Sequence, residues 1–176
     1  MTTIEKPKIE DVRGIQEVFY KTWLATYPNE EAGITVADIE EKYKDRFSEA
    51  VLEKRRNDIL DKSENKLFLV AKDDGQVVGA CRARKDEKCN ELEAIYVLPD
   101  YQGKGIGKML WDRAMEFFEN EKDIIVQVVT YNLPAINFYR KLGFTDTGKR
   151  FSDEKFKMPI SGSYLPEMEM VIRNKK

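Results

Sequence analysis

Histidine is absent from all 176 residues. That excludes Ser-His-Asp and Cys-His catalysis, and with them every histidine-ligated zinc site. Any general base must be a carboxylate, a tyrosine, a lysine or a water. Cysteine is nearly absent too. Cys81 and Cys89 cannot make a disulfide framework, so a reduced, cytoplasmic setting is expected and both read as ordinary buried thiols. No apolar run approaches the roughly 20 residues of a membrane span, and Met1 to Lys6 lacks the apolar stretch of a signal peptide. The net charge of −2 provides no basic field to recruit nucleic acid. Neither a nucleic-acid nor a membrane partner is expected, and no metal. Repeats, low-complexity segments and linkers are also missing. With 41% apolar and 35% charged residues, the chain suits one domain over residues 1–176.

What is present centres on Leu98 to Phe118, L-P-D-Y-Q-G-K-G-I-G-K-M-L-W-D-R-A-M-E-F-F. A strand ends near Leu98, and a glycine-rich loop then opens straight into a helix. Gly103, Gly105 and Gly107 alternate through Gln102 to Lys108. Glycine admits positive φ and close approach of a ligand. The first helical turn adds unpaired N–H groups and the positive end of a dipole. Together these make an anion site, most naturally for a phosphate or pyrophosphate. It is not a P-loop: Gln102 stands where the first glycine belongs, and Met109 where the magnesium-binding hydroxyl belongs. Nor is it a dinucleotide fingerprint, because Lys108 takes the third glycine position. Q-x-x-G-x-G fits, with Gln102, Gly105 and Gly107.

The rest of the chain frames this stretch. Thr2 to Lys6 predicts a short first strand. Glu10 to Tyr27 predicts a helix, with Val12, Ile15, Val18, Phe19, Leu24 and Tyr27 on its apolar face. Thr35, followed by Asp38, caps a second helix striped by Val36, Ile39, Tyr43 and Phe47, and Ser48 starts a third. Leu67 to Lys72 and Val77 to Arg84 make a hairpin about Asp73-Asp74-Gly75-Gln76. Glu91 to Leu98 alternates, which places Leu92, Ala94 and Tyr96 on one face and Glu93, Ile95 and Val97 on the other. Glu93 is then either half-exposed or a carboxylate with a raised pKa. The helix from Gly105 to Asn120 and the strand Asp123 to Thr130 complete a βαβ unit. A short helix spans Asn132 to Leu142, with Pro134 in its first turn and Gly143 after it. Strands over Phe144 to Phe151 and Tyr164 to Arg173 close the sheet. Glu30, Glu31, Asp38, Glu40 and Glu41 are solvated helix faces or a lure for a cationic amine.

Strand, glycine loop and helix in this order resemble the acyl-CoA loop of the GNAT acetyltransferases. Asn132 to Phe144 resembles the family's second cofactor motif, N-x-x-A-x-x-F-Y-x-x-x-G-F, at a fitting distance downstream. The likeness runs from about Leu67 to the C-terminus. It implies an α/β (α+β) fold, with a mixed, mostly antiparallel sheet, a central splayed strand pair and flanking helices. It further implies acetyl-CoA as co-substrate. Ile95, Tyr96 and Val97 would pair with pantetheine, and Gly103, Lys104, Gly105, Ile106, Gly107 and Lys108 would hold the pyrophosphate, with Gln102 also among the cofactor-binding residues. Asn132, Ala135 and Phe138 would contact the cofactor. Tyr139 would protonate the leaving thiolate, or else be a half-buried aromatic that anchors its helix. Glu93 would be the base, directly or through water, or else the partner of Arg82 or Arg84. GNAT enzymes that acetylate a ribosomal protein's N-terminus carry a glutamate five residues before the motif asparagine. Gln127 stands there in this chain. Bacterial polyamine-type acetyltransferases, with a glutamate in the strand before the loop, fit better. The expected activity is acetyl transfer to a small primary amine, with an N-terminal or lysine protein acetyltransferase, or a non-catalytic acyl-CoA sensor, as alternatives. A homo-oligomer is left open, with Ser152 to Ser163 and the last strand as its candidate contact.

Overall fold

Turn and cap chemistry set the element boundaries. In the computed structural model, which describes residues 1–119 and 121–174, Asp74 and Gly75 both take positive φ, 46° and 83°. This is the geometry of a two-residue hairpin turn, and it joins β2 (Lys66–Asp73) to β3 (Gln76–Lys85). Before them come β1 (Thr2–Glu5), α1 (Val12–Thr26), α2 (Val36–Tyr43) and α3 (Glu49–Leu60). After them come β4 (Asn90–Val97), α4 (Ile106–Phe117), β5 (Ile124–Val129), α5 (Leu133–Lys141), β6 (Thr145–Phe151) and β7 (Glu167–Ile172). Thr35 caps α2 in a reciprocal box with Asp38, Ser48 caps α3, and Asn132 caps α5 through Oδ1, which accepts the Ala135 N–H at 3.2 Å.

Seven strands form one sheet in the order β1-β2-β3-β4-β5-β7-β6. Only β4 and β5 are parallel among the described pairs, as their connection through α4 requires. Ile15, Val18, Val70, Val78, Leu92, Leu110 and Met170 lie in the main core. A second cluster gathers Trp23, Tyr27, Ile34, Ile39, Val129, Met158 and Leu165.

Three expectations need correction. The first is the face pattern of β4. Arg82 pairs with Ala94 and Ala83 with Leu92, so Glu93 is an extra residue in the ladder. Such a bulge resets the alternation. Glu93 therefore does not share a face with Ile95 and Val97, and Tyr96 does not share one with Leu92. The second is Asp38, neither a solvated face nor a lure for an amine. It is fully buried. Its carboxylate accepts the N–H and hydroxyl of Thr35 (2.9 and 2.8 Å) and the N–H groups of Ile160 (3.0 Å) and Ser161 (2.8 Å). Burial alone would raise its pKa, but these donors outweigh burial and hold it well below the carboxylate range. Asp38 thus ties the start of α2 to the loop before β7. The third concerns lengths. The helix expected to reach Asn120 is capped at Phe118, and Asn120 itself lies outside the described residues. The last strand begins at Glu167 rather than Tyr164, because Pro166 has no N–H for the ladder.

Candidate active site

The bulge in β4 has a consequence for its neighbour. β4 and β5 pair at Asn90–Ile124, Glu91–Ile125 and Leu92–Val126, and their ladder ends there. Beyond Leu92 the two strands part, leaving a slot in the middle of the sheet. Ile95 and Tyr96, on one wall, point to opposite faces. Ile95 lies against Gly107 at the start of α4. The Tyr96 ring meets Phe19 of α1 at a centroid distance of 5.4 Å, and its hydroxyl accepts a hydrogen bond from Trp23 Nε1 at 3.2 Å. Helices α1 and α4 therefore cover opposite faces, and the slot communicates with both. It forms one cavity of about 1060 Å³, lined by Glu91–Val97, by Gln127–Val129, by the glycine loop and by residues of α1 and α5.

On the α4 face the cavity ends in the glycine loop. Gly103 and Gly105 have φ of 74° and 82°, and a Cβ on either would meet no atom within 4 Å. This backbone conformation needs glycine, and the space before it is open. The first bond of α4 runs from Met109 N–H to Gly105 O at 3.0 Å. The N–H groups of Gly103 to Lys108 precede it and have no backbone acceptor among the described residues. Lys104 and Lys108 flank this cradle, Lys104 Nζ lying 4.8 Å over the Tyr101 ring and Lys108 pairing with Asp112. The cradle fits a diphosphate in charge and in donor geometry.

The structure gives the other expected residues varied places. Gln102 turns back and donates its amide to Val97 O at 3.0 Å, so its side chain shapes the loop. Ile106 is buried in the core and offers only its backbone. Phe138 packs on the loop, where a Cβ at Gly107 would come within 3.3 Å of its ring. Ala135 and Asn132 both line the cavity. Tyr139 also lines it, with its ring held edge-on to Phe138 and Phe144 at 5.5 and 5.6 Å. Burial, then the neighbouring Tyr96 and Cys81, pushes its phenol above the usual range. Glu93 lies on the rim, 3.5 Å from Arg82 Nε and 3.5 Å from Arg84 Nε. Both of its charge partners were foreseen. Burial, with a contribution from Glu93, pushes the Cys81 thiol up to about 12, so it stays protonated at neutral pH.

The α1 face of the cavity is aromatic. Trp23 stands 4.7 Å from Tyr27, 5.7 Å from Tyr43 and 5.7 Å from Phe156 between ring centroids. Tyr131 closes one side, donating its hydroxyl to Tyr27 O at 2.7 Å. At the β7 end sits Glu167, which sequence reasoning missed. It is 5% exposed, borders the cavity, and has a buried Oε2 without a hydrogen-bond partner. In the sequence it alternates with Glu169 like any solvated strand face. No local signal separates the two: both lie on one face of β7, and only what packs over that face from elsewhere in the chain buries Glu167.

The sequence profile of the Acetyltransferase (GNAT) family matches residues 35–144, which span the slot strand, the glycine loop and α5. The chain belongs to the GNAT acetyltransferase family. Among solved GNAT structures, the PaiA N-acetyltransferase of Thermoplasma acidophilum, in complex with coenzyme A, superposes with a TM-score of 0.71. The two are 26% identical, over 96% of this chain and 98% of PaiA. An uncharacterized N-acetyltransferase of Bacillus subtilis, YuaI, is 26% identical over 96% of this chain and 91% of its own length. The peptidyl-lysine N-acetyltransferase YjaB of Salmonella typhimurium is 35% identical over 63 residues, or 36% of this chain. The match spans only 41% of YjaB. The shared fold is the GNAT sheet with its parallel, divergent strand pair and helices on both faces.

Proposed function

We propose that this GNAT enzyme uses acetyl-CoA to acetylate a small primary amine, with a polyamine as the favoured class. The observation that carries the reading is the slot between β4 and β5, open to both faces and ending in a cradle of free N–H groups. Bound there, acetyl-CoA would supply an activated acyl carbon. Gly103 to Lys108 would hold its diphosphate, with Lys104 and Lys108 adding charge, and Ile95 to Val97 would offer the unpaired edge of β4 to the pantetheine amides. Asn132, Ala135 and Phe138 would border the cofactor where α5 meets the loop. PaiA, bound to coenzyme A in its own structure, supports this placement by its likeness along the whole chain.

In this reading the phenol of Tyr139 keeps its proton at neutral pH and donates it to the sulfur that leaves. Its position on the α4 side of the slot, and a pKa raised by burial, suit a proton donor. The acceptor comes from the aromatic α1 side. A cationic amine fits rings better than an anion does, because their faces are negative. It must lose a proton first, since a lysine-like amine has a pKa of ~10.4. Glu93 faces two guanidiniums, so a water-relayed share in that step is the role its geometry leaves it. The test is release of free thiol from acetyl-CoA with a panel of amines that includes spermidine. Turnover of a primary amine supports the reading. Coenzyme A binding without turnover of any amine marks an acyl-CoA sensor instead.

A further inference from the structure

We infer that Glu167 is the group that receives the acceptor's ammonium and removes its proton. This inference rests on the amine-acetylating reading above. It begins with an unbalanced charge. Among the described residues, neither carboxylate oxygen of Glu167 has a hydrogen-bond or ion-pair partner, although the side chain is 95% shielded by its 5% exposure. A buried carboxylate without a partner is costly. A ligand that brings a positive charge and N–H donors would remove that cost.

Its placement specifies the ligand. Glu167 pairs directly with Val129 of β5, so the two side chains share a face. Val129 belongs to the cluster of Trp23 and Tyr27, which puts Glu167 on the aromatic side of the slot. Tyr139 packs in the other cluster, with Phe144. The proton acceptor and the proton donor thus stand on opposite sides of the gap. Three ionisable groups lie near Glu167. Lys155 is held by Asp153 at 2.9 Å, and Tyr96 projects from β4. Burial raises the Glu167 carboxyl to about 7. Lys155 lowers it and Asp153 raises it, both by less than burial does. A base that titrates near neutrality is ionised in a substantial fraction of molecules at that pH and can still take a proton.

The step balances. The ammonium passes one proton to Glu167. The freed nitrogen bonds to the acyl carbon as the carbon–sulfur bond breaks, and the thiolate takes the Tyr139 proton. The nitrogen's second surplus proton returns to the phenolate, and Glu167 releases its own to solvent. The acceptor class that follows is a cationic primary amine whose charged head passes along the wall of Trp23, Tyr27 and Phe156 and reaches Glu167. A neutral or anionic acceptor would leave the carboxylate uncompensated.

The test compares wild type, Glu167→Gln, Glu167→Asp and Glu93→Gln. Coenzyme A affinity is measured by calorimetry, and kcat/KM for the best amine of the panel from pH 5.5 to 9. The wild-type profile should fall below about pH 7. Glu167→Gln should lose that limb and about a hundredfold in kcat/KM, with coenzyme A affinity within twofold of wild type. Glu167→Asp should keep the limb at reduced rate, which a merely structural residue would not do. If Glu167→Gln keeps the limb, or Glu93→Gln abolishes it instead, the inference is overturned and the acetyltransferase reading stands. If coenzyme A binds but the wild type turns over no amine, the acceptor class and the role of Glu167 fall together. If coenzyme A does not bind at all, the underlying reading falls.

Discussion

An unpartnered carboxylate inside a protein affects stability as well as chemistry. Between pH 4.5 and about 7 the folded state of this chain binds the Glu167 proton and the unfolded state does not. The group therefore stabilises the fold at the acid end, and that contribution is lost as pH rises through about 7. Glu167→Gln removes the burden, so at pH 8 the variant should be more stable than wild type by roughly 3 kcal/mol. The two should converge near pH 4.5, and denaturant melts at both values check this. Tyr139 makes the complementary prediction. Tyr139→Phe keeps the packing against Phe138 and Phe144 and loses only the hydroxyl. Stability should change by less than about 1 kcal/mol, while kcat drops about a hundredfold. A Tyr139→Phe enzyme with full kcat would leave the phenol with a packing role alone.

At the scale of elements, the glycine loop and the Asp38 clamp carry separable functions. A Cβ at Gly105 finds open space but must adopt φ of 82°, which costs about 1–2 kcal/mol. Gly105→Ala should thus lower Tm modestly and weaken coenzyme A binding about tenfold, as measured by calorimetry. Asp38→Ala leaves the N–H groups of Ile160 and Ser161 without an acceptor. It should cost about 3 kcal/mol, seen as a Tm lower by roughly 10 °C. In wild type the Asp38 contribution is present above the unfolded carboxylate pKa of ~3.9 and is lost in more acid solution. Elements of this kind differ in how far they can be read from the chain. The caps at Thr35 and Ser48, the hairpin at Asp74-Gly75 and the glycine loop are local chemistry, and each stands where its residues predict. The bulge at Glu93 is not local. It exists only in the register between β3 and β4, and alternation along one strand is blind to it. Asp38 was visible as a cap, but its second pair of bonds reaches more than a hundred residues along the chain. Glu167 was hidden for the same reason, because its surroundings come from β5, β4 and the loop before β7.

Across the whole molecule, one feature joins these parts. A parallel pair in an otherwise antiparallel sheet stops after three residue pairs and leaves a slot through the middle. The cradle and Tyr139 face one side of it, and the aromatic wall and Glu167 face the other. Coenzyme A at a hundredfold excess over its Kd should stabilise the fold by about 2.7 kcal/mol, a thermal shift of roughly 5–10 °C. Adenosine, which lacks the diphosphate, should give far less. The most direct measurement is a crystal structure of the chain with coenzyme A. The diphosphate should lie within hydrogen-bond distance of the N–H groups between Gly103 and Lys108, and the pantetheine arm should run between β4 and β5 toward Tyr139. Coenzyme A bound outside the slot, or a slot closed by β4–β5 pairing beyond Leu92, would contradict the account.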